Sequence, residues 1–206
     1  MVDPERHDRS MWDERYGKPG FSYGTAPNAF LASMAHHLPP GRVLSIGEGE
    51  GRNAVYLATR GYHVVGVDGS PVGMAKAQRL AADRGVRITT EVADLADYRI
   101  DPAAWDGIIS IFCHLPRRLR ARVHADVVQG LKVGGVFILE AYTPAQLEYG
   151  TGGPPTVDLL VSLSDLEREL EGLHFLHAQE TEREVIEGRA HTGPSAVVQV
   201  VAVKQP

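Results

Sequence analysis

Apolar and polar positions along the chain switch repeatedly between two periods. Short apolar runs at 42–46 (R-V-L-S-I) and 63–67 are separated by stretches whose apolar residues recur at helical spacing. The break Pro39-Pro40-Gly41 precedes the first run, and a helix over 52–60 stopped by Gly61 leads to the second, which ends at Asp68. Ser70-Pro71 opens another helix, since serine caps well and proline suits the first helical position, and Gly85 closes it. Strands are expected at 86–92 and 105–112, a helix over 116–131 ending near Gly134-Gly135, and a fifth strand at 136–141.

Beyond this point the rhythm changes. A long loop, 142–161, carries the run Y-G-T-G-G-P-P, and Ser164-Asp165-Leu166-Glu167 has the form of a helix start. Two last strands, 173–181 and 196–203, have no room between them for a crossover helix and should pair antiparallel. The pattern predicts a doubly wound α/β fold, a mostly parallel seven-stranded sheet closed by an antiparallel C-terminal hairpin.

Composition narrows the setting. The 206 residues are 43% apolar and 23% charged, suited to one globular domain spanning 1–206. No apolar run approaches the roughly 20 residues that span a bilayer, and the start M-V-D-P-E-R-H-D-R-S lacks a signal-peptide core, so a cytoplasmic protein without a membrane partner is expected. A net charge of −5 argues against a nucleic-acid surface. The basic run Arg117, Arg118, Arg120 and Arg122 reads as a solvated helix face. Cys113 is the one cysteine, which excludes an internal disulfide and reads as packing rather than as a nucleophile. The nine histidines show no ligand spacing, so no metal is expected.

The candidate chemistry lies in V-L-S-I-G-E-G-E-G-R-N, residues 43–53, a turn between a strand and a helix with glycines at 47, 49 and 51. Glycines there let a ligand approach the backbone, and the helix start beyond favours anionic groups. A dinucleotide site usually reads G-x-G-x-x-G; here the spacing is G-x-G-x-G, Arg52 stands where the third glycine would be, and Glu48 and Glu50 suit an ammonium or sulfonium better than a pyrophosphate. Asp68, about 20 residues on, is placed to accept from ribose hydroxyls, although a turn-forming role is the alternative. Asp94 either accepts from an adenine amino group or has a helix-capping or surface role.

These segments, with G-Y-H-V-V-G-V-D, A-D-L and L-K-V-G-G-V-F-I-L-E, resemble the class I S-adenosylmethionine-dependent methyltransferases. Within them the chain resembles the tellurite-resistance and thiopurine-methyltransferase-like group, which places a W-D-x-x-Y segment, here Trp12 to Tyr16, before the domain. The likeness covers nearly the whole chain, is close over 43–140 and loosens beyond Tyr142. It implies a Rossmann-like methyltransferase fold with S-adenosyl-L-methionine as cofactor. Gly47, Glu48, Gly49, Gly51 and Asn53 would line the turn, Asp68, Gly69 and Ser70 would follow the second strand, and Asp94 and Leu95 would flank adenine. Ile111 and His114 would line the cofactor, and residues 1–30, with Trp12, Tyr16 and Tyr23, would fold over it. The group commonly has an acidic residue where this chain has Ser45, so Glu48 would receive the cofactor's amino group.

Methyl transfer from a sulfonium needs alignment and exclusion of water. Ligands of open α/β sheets sit at the carboxyl ends of the strands, from which three segments emerge, contributing His114, then Tyr142 and Tyr149, then Arg189 and His191. The expected catalytic pair is His191 and Tyr142, and the 149–155 loop is either a lid or an ordinary loop. The expected partner is a small molecule such as a thiol or chalcogen oxyanion, and the assembly a monomer or homodimer. A cofactor-binding module without catalysis and an NAD(P)-dependent oxidoreductase are the other two readings.

Overall fold

Strands β1 (Arg42–Ile46) and β4 (Trp105–Ile111) lie side by side at the middle of a seven-stranded sheet. The computed structural model describes residues 9–206 apart from Ala190. On one side of β1 run β2 (His63–Asp68) and β3 (Thr89–Val92); beyond β4 come β5 (Leu131–Tyr142), β7 (His191–Lys204) and β6 (Leu173–Glu187). The order is β3-β2-β1-β4-β5-β7-β6, parallel throughout except that β7 is antiparallel to both neighbours. The doubly wound sheet and its closing hairpin are as expected from the sequence.

Helices α1 (Arg9–Gly17) and α2 (Ala29–Met34) precede the sheet, and α3 (Arg52–Thr59), α4 (Pro71–Asp83), α5 (Arg117–Gly130) and α6 (Leu163–Glu169) follow in turn. Neighbouring residues of each central strand enter opposite cores, as a pleated strand requires. Val43, Ile109, Ile138 and Val201 pack with Leu31, Leu57 and Leu80 on one face. Leu44, Ile108, Phe137 and Val200 pack with Val127 and Leu166 on the other. Burying an aliphatic side chain of this kind is worth about 1.5–3 kcal/mol, so the mainly apolar runs of β1 and β4, interrupted by Ser45, Asp106 and Ser110, are explained by burial on both faces.

Several boundaries differ from the pattern. Residues 86–88 leave the third strand because the Val86 N–H closes the end of α4 on Ala81. Helix α5 stops at Gly130, where a side chain would meet Ile100 at 2.4 Å, and β5 starts at once instead of after Gly134-Gly135. Ser162, not Ser164, caps α6, accepting from Asp165 N. Most of the stretch expected to join the last two strands is itself paired, Glu187 facing His191, so the connection shrinks to residues 188–190. β5 pairs β7 only as far as Val197, so Pro194 lies on a two-stranded ribbon that needs no N–H there. The basic run on α5 is only partly solvated: Arg120 is buried on Glu169 and the Leu160 carbonyl, and Arg122 binds the carbonyls of Leu95 and Tyr98.

Candidate active site

The turn after β1 is built on left-handed backbone, with φ of 64° at both Gly47 and Gly49 and 97° at Gly51. A side chain at Gly49 would meet the Tyr16 hydroxyl at 2.7 Å, and one at Gly51 would meet Ala77 at 2.6 Å. Gly51 therefore serves the contact between α3 and α4 and does not line the cavity, which corrects its assignment as a ligand contact.

Asp68, at the end of β2, accepts from Gly49 N at 2.9 Å and from Ser70 N at 2.8 Å. Burial raises its pKa, and those two N–H groups oppose the rise. Ser70 is buried, caps α4 through Gly73 N and donates to Asp13, so it is a brace and not a cavity residue as expected.

Both glutamates of the turn are already engaged. Glu48 accepts from Ser45 Oγ and, at 3.0 Å, from Ala54 N; burial outweighs those bonds and pushes its carboxyl up to about 7. It lines the cavity, with each oxygen accepting one bond from within the protein. Glu50 pairs with Lys76 at 2.8 Å and accepts from Ser22 N at 2.6 Å.

Glu50 and Lys76 thereby tie the N-terminal segment down. Lys76 also donates to the carbonyls of Lys18 (2.9 Å) and Gly20 (2.6 Å), while Arg189 donates from its backbone to Ser22 O and from its guanidinium to Pro19 O. Helix α1 and the chain after it consequently lie over the glycine turn. Between them is a cavity of about 440 Å³. Gly47, Glu48, Gly49 and Asn53 line its floor, with Asp68, Gly69, Asp94 and Leu95 toward β3. Ile111 and His114 line the wall after β4, and Trp12 and Tyr16 come from above. Asp94 both lines the cavity and caps a turn, accepting from Ala96 N at 2.8 Å.

At the far side an aromatic group closes the cavity. His191 lies 4.5 Å from Tyr23, 4.9 Å from Phe112 and 5.4 Å from Tyr142, centroid to centroid. Its Nδ1 is 3.7 Å from Glu187 Oε2, beyond hydrogen-bond reach, and burial lowers its pKa against the pull of that carboxylate. Glu187 is held near 2: burial raises it, but His191, Arg52 and Asn28 prevail, the Arg52 pair measuring 2.6 Å. Tyr142 is wholly buried, stacks behind His114 and lines neither this cavity nor the one that adjoins it, and burial raises its pKa; it stands behind the wall of the site and not in the catalytic place expected for it.

A second cavity of about 650 Å³ adjoins the first, and Trp12, Tyr23, His114 and His191 line both. Gly152, Gly153, Pro154 and Pro155 border it, as does Arg189, whereas Tyr149 lines neither cavity. Sequence reasoning missed Arg52 and Phe112 as cavity residues. Arg52 stood in the turn motif itself. Phe112 takes φ of 52°, strained for a bulky residue, a feature that no pattern of apolar positions carries. Cys113 packs on Gly47 and burial pushes its thiol up to about 12, which supports the packing role.

The strand order and the closing antiparallel hairpin are those of the Rossmann-like methyltransferase fold. A family profile described as Methyltransferase domain matches residues 43–135. The chain is 29% identical over 143 residues to the 2-heptyl-1-hydroxyquinolin-4(1H)-one methyltransferase of Mycobacteroides abscessus, an alignment covering 68% of this chain. That alignment spans 63% of the relative's length, less than two thirds of it. Among solved structures, one from work on conversion of a disulfide bond into a thioacetal group during echinomycin biosynthesis superposes with a TM-score of 0.78 at 20% identity, over 97% of this chain and 92% of the other. TehB from Haemophilus influenzae superposes at 0.72 and 20% identity, over 96% of this chain and 67% of its own. At these identities the structural likenesses speak for the fold.

Proposed function

We propose that the protein transfers the methyl group of S-adenosylmethionine to a heteroatom of a small molecule. The observation that carries this is the pair of adjoining cavities, one over the glycine turn and one open beyond it, with His191 and His114 on the boundary. When bound, the cofactor supplies an electrophilic methyl on a sulfonium.

The residues fit that group. Asp68 is fixed by two backbone donors with its remaining acceptor capacity toward the cavity, as recognition of ribose hydroxyls requires. Asp94 and Leu95 suit an adenine edge and face, and Gly47 and Gly49 leave room for the methionyl part to lie close to backbone. Trp12 and Tyr16, in residues 1–30, act as the cover that excludes water. His191, kept neutral by burial, orients the acceptor or takes its proton. The acceptor is a thiol, a chalcogen oxyanion or an N-hydroxy heterocycle of the kind named for the Mycobacteroides abscessus relative.

Calorimetry tests the cofactor half: S-adenosylmethionine or S-adenosylhomocysteine should bind at micromolar strength, about −8 kcal/mol, and NADH should not bind. His191→Ala tests the rest. Turnover should fall with cofactor affinity unchanged, because the loss belongs to the transition state; unchanged turnover would remove His191 from the mechanism.

A further inference from the structure

The second cavity has a charge character opposite to that of the chain. The protein carries a net charge of −5, yet the described residues around this cavity include three cations, Arg15, Lys18 and Arg189, and no carboxylate. Two of the cations are held by neutral partners: Arg15 donates to the Tyr23 hydroxyl at 2.6 Å, and Arg189 to the Pro19 carbonyl at 2.8 Å. Those bonds fix the guanidinium groups in place without cancelling their charge. Arg15 also stands over the Trp12 ring, 4.9 Å from its centroid.

Ser22, His114 and His191 add neutral polar groups to the lining, and Met11, Trp12, Tyr23, Pro154, Pro155 and Leu159 give it a largely apolar wall with flat faces. A volume of about 650 Å³ lies in the range of sites that enclose drug-sized ligands. A bare inorganic oxyanion would leave most of it to water and most of the apolar wall uncovered. A cation would meet the three positive side chains.

Resting on the methyltransferase reading, we propose that this cavity is the acceptor site and that it selects a flat, apolar molecule entering as its conjugate base, with Arg15, Lys18 and Arg189 setting the preference for negative charge. In the transfer, a lone pair of the anionic heteroatom forms the new bond to the methyl carbon as the carbon–sulfur bond breaks. The bonding pair goes to sulfur, leaving the neutral thioether of S-adenosylhomocysteine. One negative and one positive charge disappear together and no proton is released, so the base requirement is met before entry and a dry site favours the step. His191 then acts as a positioning residue at the boundary rather than as an obligatory base.

The test uses the full chain saturated with S-adenosylhomocysteine, whose own binding is measured first by calorimetry. Para-nitrothiophenolate, para-nitrotoluene, para-nitrobenzylammonium and tellurite are then titrated at low and high salt. The thiolate should bind tightest, weaken with salt and compete with para-nitrophenolate. In Lys18→Gln and in Arg189→Gln its affinity should drop about two- to fivefold each, the usual worth of one partly solvated charge contact. Para-nitrotoluene binding and S-adenosylhomocysteine binding should not change in Lys18→Gln. Equal affinity for the neutral or cationic probe, tighter binding of tellurite, or indifference of the thiolate to both substitutions would overturn the proposal. Failure of S-adenosylhomocysteine to bind at all would instead overturn the methyltransferase reading on which it rests.

Discussion

Asp68 shows how one side chain takes two duties. Its carboxylate holds Gly49 N and Ser70 N, which meets the turn-forming reading of the sequence, and it also lines the cavity, the position that the proposed ribose contact requires. Asp68→Ala should therefore lower cofactor affinity at least tenfold, since each hydrogen bond to a charged group is worth about 1.5–3 kcal/mol. It should also lower the stability of the ligand-free protein by about 1–3 kcal/mol, because two partly buried N–H groups lose their acceptor. Calorimetry and denaturant melts separate the two effects, and intact affinity would exclude the ribose role. Glu48 behaves in the opposite sense. Its folded pKa, near 7, lies above that of the unfolded chain, about 4.3, so the folded state binds the extra proton between those values. Stability contributed by this group is present below about pH 4 and is lost as pH rises through 7. Glu48→Gln, which keeps an acceptor for Ala54 N and can donate to Ser45, should stabilise the protein by about 1–3 kcal/mol at pH 8 and hardly at all at pH 4. Melts of both proteins across that window check it.

Among the elements, α5 is where composition misled most. Four arginines over six positions read as a solvated face, but Arg120 turns inward to Glu169 of α6, where His124 also bonds at 2.7 Å. Burial raises the Glu169 carboxyl, yet His124 and Arg120 outweigh it and hold it near 2. A depressed carboxylate contributes stability above its unfolded pKa and loses it as pH falls toward 2. Arg120→Ala should cost about 3–5 kcal/mol near pH 7, as removal of one partner from a buried pair does. The deficit should narrow below pH 4, where Glu169 of the variant takes up a proton. A pH-independent deficit would mean that lost packing, not charge, is the cause. The hairpin shows the complementary limit: the outer positions of β6 are charged and exposed, so the solvent-facing half of the ribbon reads like a loop, and only pairing with β7 makes it a strand.

Across the whole molecule, a buried polar network joins distant parts of the chain around the site. Glu140 of β5 accepts from Asn28, Arg183 and Gln199, and Glu187 accepts from Asn28 and Arg52. With the Lys76–Glu50 strap, it fixes the N-terminal segment, the glycine turn and the hairpin relative to one another. Lys76→Met leaves Glu50 buried without its cation and two carbonyls without a donor, and should cost about 3–5 kcal/mol. Amide exchange should speed up across residues 9–28 and cofactor affinity should fall. Loss of affinity with exchange unchanged in that segment would mean that the strap does not hold the cover.

The alternation of strand and helix, the glycine turn and the acid at the end of β2 were legible in the sequence. Each depends on local chemistry: short apolar runs buried on both faces, left-handed backbone and a fixed chain spacing from the turn to Asp68. By itself the sequence thus determined the architecture and the half of the site built from consecutive β–α units. The lining of the second cavity was decided only by the tertiary structure. Arg15, Lys18, Arg189 and His191 are brought together from opposite ends of the chain, and Tyr142 is moved behind the wall by stacking on His114. Gly51 and Ser70 lie inside the recognised motif, yet contacts with Ala77 and Asp13 occupy them. Which side of a residue faces a cavity depends on partners far along the chain, and no local pattern records them.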